Sequence, residues 1–268
     1  MSRLNEQIKQ LMEMMNLHLN PQAIKMIENE ADVPADAIRP LKDYGKHVAL
    51  CQAMALTKRE GKTVYMTKED HWCWNPLIGL GSVKCEPGME SFDEICKYLC
   101  VEDMNKARKF LAEFPKLPYH KYVGILIAPA QSCDFIPDVI LINCKNNYQL
   151  RFMLLGIKNK TGKMLNNPFD ALDTCSHTIV EPMLTGEYRI AIPDPGDQVR
   201  ALADKNEIVL AVPTSRLEEL VSGCSAMDKM GCGYKAMQPD MMYDFARPPF
   251  YNKLFELWNL DQGEEWKR

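Results

Sequence analysis

Apolar residues recur at helical spacing from the start of the chain: Leu4, Ile8, Leu11, Met12 and Met15 share one face, and the pattern stops at Leu19-Asn20-Pro21. A helix returns to the same side every ~3.6 residues, so the spacing predicts an amphipathic helix packed on a core. Its polar face carries Glu6, Lys9 and Glu13, a mixed set rather than the basic face that membrane surfaces select. The run HVALCQAMALTKREGK, residues 47 to 62, enters a second helix closed by Gly61. TVYMT, residues 63 to 67, predicts a strand, and a turn, EDHWCWNP, follows it.

From Ser91 to Phe114 the period is helical again, with Ser91 as N-cap, Glu94 in the capping-box position and a break near Val101. The chain then changes character. YVGILIAPA (122 to 130) and PDVILINC (137 to 144) are short β-branched runs, and the helix-like NNYQLRFMLLGIKN (146 to 159) comes next. Two further strands, EYRIAIP and EIVLAVP, follow, the second leading through Thr214-Ser215-Arg216-Leu217-Glu218 into a helix. Strands and helices alternate too irregularly for a doubly wound or barrel fold. The pattern predicts an α+β fold with a mixed, largely antiparallel sheet flanked by helices, and a helical N-terminal region over residues 1 to 40. No linker or repeat divides residues 1 to 268, so one compact unit is expected.

Composition narrows the partners. Hydrophobic residues make up 46% of the 268, charged residues 25%, and the net charge is -4, so no basic footprint for nucleic acid is present. No apolar run approaches the ~20 residues that span a bilayer, and the N-terminus lacks the apolar core of a signal peptide. A cytoplasmic protein without a membrane partner is expected. The apolar face of the first helix and the stretch 241 to 258 fit either core packing or a homodimer contact. Ten cysteines and seventeen methionines suit a reducing, anaerobic cell.

The chain contains no GxGxxG, Walker loop, GxSxG, HExxH or CxxC. Candidate chemistry therefore rests on individual side chains. Cys96 and Cys100 share a helix face, and Cys133 and Cys144 flank a strand, all as expected of core residues. Cys85 lies in a polar turn, and Cys224 and Cys232 fall in a glycine-containing stretch that reads as a surface loop. Cys51, Cys73 and Cys175 differ, because each lies at the edge of an element beside polar groups: Gln52, His71 and the Ser176-His177 pair. Three thiolates could hold a soft metal or an iron-sulfur cluster; core cysteines are the competing reading. The segment Ile192 to Arg200 reads as a rigid turn with an Asp-Arg pair, or as a site in which Arg200 grips a carboxylate and Asp197 moves a proton. His71 and His177 are further proton-transfer candidates, since imidazole titrates near neutrality.

Taken in order, several segments resemble the family described as domain of unknown function 169. They are CQAMALTKREGK at 51 to 62, the cysteine and PLIGLG within 73 to 81, ARKFL at 107 to 111, IAPA and PDVILI within 127 to 142, YQLRFMLLG at 148 to 156, Cys175, and PDPGDQVRALADKNEIVLAVP at 193 to 213. The likeness spans roughly residues 43 to 223 and implies one shared site built on Cys51, Cys73, Cys175 and the Gly-Asp-Gln-Val-Arg segment. The sequence departs from the family in Trp74-Asn75 after Cys73 and in Gln198 after Asp197, which implies a bulkier, less basic pocket. The expectation is an enzyme with a [4Fe-4S] cluster on Cys51, Cys73 and Cys175, whose open iron serves as Lewis acid toward a small organic molecule in a lyase, hydratase or desulfurase step. His71, His177 and Asp197 would move protons, and Trp72, Trp74, Gln52 and Arg200 would hold the substrate, the two tryptophans also excluding water. The alternatives are a ligand or metal carrier without turnover, and an electron carrier in which Cys133 or Cys144 supplies a fourth ligand.

Overall fold

The computed structural model describes residues 2–237 and 248–260. Six strands form one sheet: β1 (Gln22–Ile27), β2 (Val64–Met66), β3 (Gly124–Pro129), β4 (Val139–Cys144), β5 (Arg189–Ala191) and β6 (Ile208–Pro213), in the order β2-β3-β1-β4-β6-β5. Every neighbouring pair is antiparallel. The fold is α+β, as the alternation of patterns predicts.

β4 is buried at every position because helices cover both faces of the sheet, and for that reason the inner strands read as unbroken apolar runs. Successive side chains take opposite faces. Ile140, Ile142 and Cys144 join the core beneath α1 (Arg3–Met15), while Val139 and Leu141 join the opposite core. The second face carries α3 (Leu50–Glu60), which follows the short α2 (Pro40–Tyr44). Its other helices are α4 (Trp74–Gly79), α8 (Thr174–Thr185) and α9 (Pro195–Ala201). α5 (Glu90–Cys96) and α6 (Met104–Glu113) form a separate small cluster, and Cys100 in the gap between them has a positive φ of 55°. The break expected near Val101 is therefore present, although the cap is Met89 rather than Ser91.

α7 (Asn147–Thr161) and α10 (Leu217–Lys229) complete the first face with α1, and α11 (Pro249–Leu257) follows. The stretch around Cys224, expected as a surface loop, is the second half of α10, and Cys224 is buried. Its glycine has a packing reason: a Cβ on Gly223 would stand 2.1 Å from the Gly156 carbonyl oxygen, so only glycine lets α10 lie on α7. The N-terminal region also departs from the helical expectation. It supplies β1, a central strand whose apolar run is interrupted in the sequence by Lys25, which pairs with Asp138 at 3.1 Å. Residues 241 to 247 of the expected dimer surface lie outside the described residues. The apolar face of α1 is spent on the core, where Ile8, Leu11 and Met15 are buried.

Candidate functional site

Three cysteines remote in sequence come together on the second face, each at the start of a helix. Cys51 is the second residue of α3, Cys175 the second of α8, and Cys73 immediately precedes α4. The first N–H groups of a helix lack intrahelical acceptors and carry the positive end of its dipole, which favours a thiolate. The Gln52 N–H faces Cys51 and the Asn75 N–H faces Cys73.

Burial acts in the other direction. It pushes the Cys51 thiol up to about 12, and the charges of Asp197, Asp194 and Cys73 add to the effect. Cys175 is raised well above its ordinary value by burial and then by Asp197, Cys51 and Asp194. Cys73, half-buried, is raised by burial while Arg200 pulls it back. Cys73 thus acts on Cys51, and both act on Cys175, as groups lying near one another do.

The expected rigid turn at Asp194 is the start of α9. Asp194 Oδ1 accepts the Asp197 N–H at 2.9 Å, and Asp197 Oδ2 accepts the Asp194 N–H at 3.1 Å. This reciprocal cap satisfies two orphan donors. Asp194 also accepts the Thr174 N–H at 3.3 Å, tying the start of α9 to the start of α8. Arg200 is not its ion-pair partner; the guanidinium lies 4.5 Å from the centre of the Trp72 ring. Burial and Asp194 raise Asp197 to about 6.

Asp173, which sequence reasoning missed, stands just ahead of α8 with φ 64° and is raised to about 6 by burial and Asp170. Asn75 was also missed. Its Oδ1 accepts the Ser176 hydroxyl, and its side chain reaches the Asp173 carboxyl, holding it down against the effect of burial.

Behind Cys51 lies an enclosed cavity of about 20 Å³, room for about one water. Cys51, Asp197, Lys58, Glu207, Gln22 and Asn143 line it. Lys58 and Glu207, both buried, form an ion pair. Asn143 Nδ2 donates to Glu207 Oε1 at 2.7 Å, Gln22 Nε2 donates to Asn143 Oδ1 at 2.6 Å, and Gln22 Oε1 is left without a partner. One signal for this network is in the sequence, a glutamate opening the apolar run EIVLAVP; nothing in the spacing links it to Lys58.

The remaining expected residues lie around this pocket or away from it. Trp72 is 59% exposed and Trp74 38%, so the two rings form an open rim rather than the water-excluding cover expected of them. Gln52 Oε1 accepts the Ala49 N–H at 2.9 Å, a cap for its own helix. His71 is neutral near pH 7, since burial holds its pKa down to about 4, and its Nδ1 has no hydrogen-bond partner. Burial also works against a charged His177, yet its hydrogen bond to Glu181 at 2.7 Å and the nearby Asp170 raise it. The groups that shift the thiols are Asp194, Asp197, Asp173, Arg200 and one another. Cys133 and Cys144 belong to the core on the other face of the sheet, away from the trio. Among the described residues, no three His, Cys, Asp or Glu side chains already stand as a ligand set for a single metal ion.

A family model described as uncharacterised ArCR, the domain of unknown function 169, matches residues 10–223, a span that contains every residue of this pocket. An uncharacterised protein of Methanocaldococcus jannaschii is 23% identical over 221 residues, covering 82% of this chain and 93% of that relative. No solved structure matches.

Proposed function

We infer a function for this chain, which belongs to the uncharacterised ArCR family, from its thiol pocket: an iron-sulfur cluster on Cys51, Cys73 and Cys175 that acts on a small anionic molecule. The observation that carries the reading is the meeting of three thiols from three helix starts in one space. Soft sulfur donors select soft metals, and three thiolates leave a fourth coordination position open for a substrate. The cavity behind Cys51 has room for about one water, so it is not the space of a cluster.

When bound, such a cluster supplies a Lewis acid. The chain's own residues then have separate tasks. Arg200, poised over Trp72, offers a planar cation to a carboxylate entering at the rim. Asp197, with its raised pKa, is the carboxyl whose charge weighs most on Cys51 and Cys175, which suits it to move a proton there.

Single substitutions of Cys51, Cys73 and Cys175 by Ser test this reading, with Cys85→Ser as a control inside another core. Iron retained in anaerobically purified protein should fall in the three and persist in the control. Full iron in all four sinks the proposal.

A further inference from the structure

A second concave site lies on the first face, away from the thiols. α7 and the segment 163 to 169 enclose a groove of about 580 Å³, within the size range of small-molecule sites. Its walls are Leu150, Leu154, Leu155, Leu165, Phe169 and Ile190. The far wall is fixed rather than loosely draped: Asn167 Oδ1 accepts the Ile190 N–H at 2.6 Å, and Asn167 Nδ2 donates to the Ile190 carbonyl at 2.8 Å. One carboxamide thus occupies both backbone groups on the free side of the edge strand β5 and straps residues 163 to 169 across it.

The charged lining is of one sign. Arg151, Lys158 and Lys163 border the groove, no Asp or Glu lines it among the described residues, and none of the three cations has an ion-pair partner there. In a chain of net charge -4 this is a local reversal. Lys158 lies in the last turn of α7 and Lys163 just past its end, so two cations stand together at one end of an apolar floor. Arg151 is about 10 Å away along the helix.

The geometry points to a binding site for a small anionic amphiphile, an acyl chain lying along α7 with its carboxylate at Lys158 and Lys163. Area alone would suit any apolar ligand. The paired cations at one end select a head group and a direction, and the strapped wall limits the length.

The test is calorimetric titration of the full chain with decanoate, with decylamine and butyrate as controls. The expected result is saturable binding of one decanoate per chain, little or no binding of decylamine, and much weaker binding of butyrate. Lys158 and Lys163 are exposed, so Lys158→Gln/Lys163→Gln should leave the fold intact while weakening decanoate by about tenfold or more, the loss of a charge-assisted contact. Phe169→Ser, also at an exposed position, should weaken it through the apolar wall. The proposal is overturned if decanoate gives no saturable heat, if decylamine binds as well, or if the double variant binds unchanged. An acidic amphipathic helical peptide that binds where decanoate does not would overturn it in favour of a protein partner.

Discussion

Gly79 of α4 lies directly against Ser176 of α8: a Cβ at position 79 would stand 2.8 Å from Ser176 Oγ and 3.1 Å from its Cβ. The contact joins the helix that begins beside Cys73 to the one that begins beside Cys175. Gly79→Val must push these helices apart, with an expected cost of about 1–3 kcal/mol, typical of overpacking in a tight core. Chemical denaturation reads the loss. A variant as stable as the parent would mean that the two helix starts are not held by this contact.

Asn75, one turn before Gly79, offers the same junction a buried hydroxyl–amide pair with Ser176. The sequence marks Ser176 as a neighbour of Cys175 and Asn75 as a departure from the family, but not their pairing, because closeness between α4 and α8 is a tertiary fact across about a hundred residues of chain. The sheet and most helices were legible, since burial on one or two faces writes itself into apolar spacing. The misreadings have local causes. Lys25 interrupts β1, Gly223 serves a helix crossing rather than a loop, and two prolines with a glycine at 193 to 196 start a helix as readily as they close a turn. The three cysteines stood out by their polar neighbours, but their shared position at helix starts required the fold.

Lys58 and Glu207 form a buried pair, and removing one partner leaves a charge in the core. Lys58→Met should cost about 3–5 kcal/mol by urea denaturation, while Lys58→Met combined with Glu207→Leu should recover much of it. A double variant weaker than the sum of the singles would contradict the pairing. That comparison requires the Glu207→Leu single as well.

Asp197 is raised to about 6, above the ~3.9 of an unfolded aspartate. The folded state therefore binds this proton more tightly than the unfolded chain does, and stability falls as pH rises from ~4 through about 6, by on the order of 3 kcal/mol from this group. In cluster-free protein, Asp197→Asn should remove that part of the slope while an amide oxygen remains to cap Asp194. Parallel stability profiles for variant and parent across this range would show that Asp197 titrates normally.

Cys100 is exposed, Cys73 is half-buried and the other eight cysteines are buried. A thiol reagent on the native, metal-free chain should consume one thiol rapidly and a second slowly, the rest only on unfolding. Cys100→Ser should abolish the rapid phase. Rapid loss of several thiols would contradict the burial of the pocket cysteines.

The central claim is that the pocket at Cys51, Cys73 and Cys175 carries an iron-sulfur cluster. Its most direct test is the iron and acid-labile sulfide content of protein purified without oxygen, together with an electron paramagnetic resonance spectrum after reduction. The account predicts about four irons and four sulfides per chain, with a cluster signal that shifts when a small carboxylate is added. Neither iron nor sulfide, before or after anaerobic reconstitution, would contradict it and return the three thiols to the core.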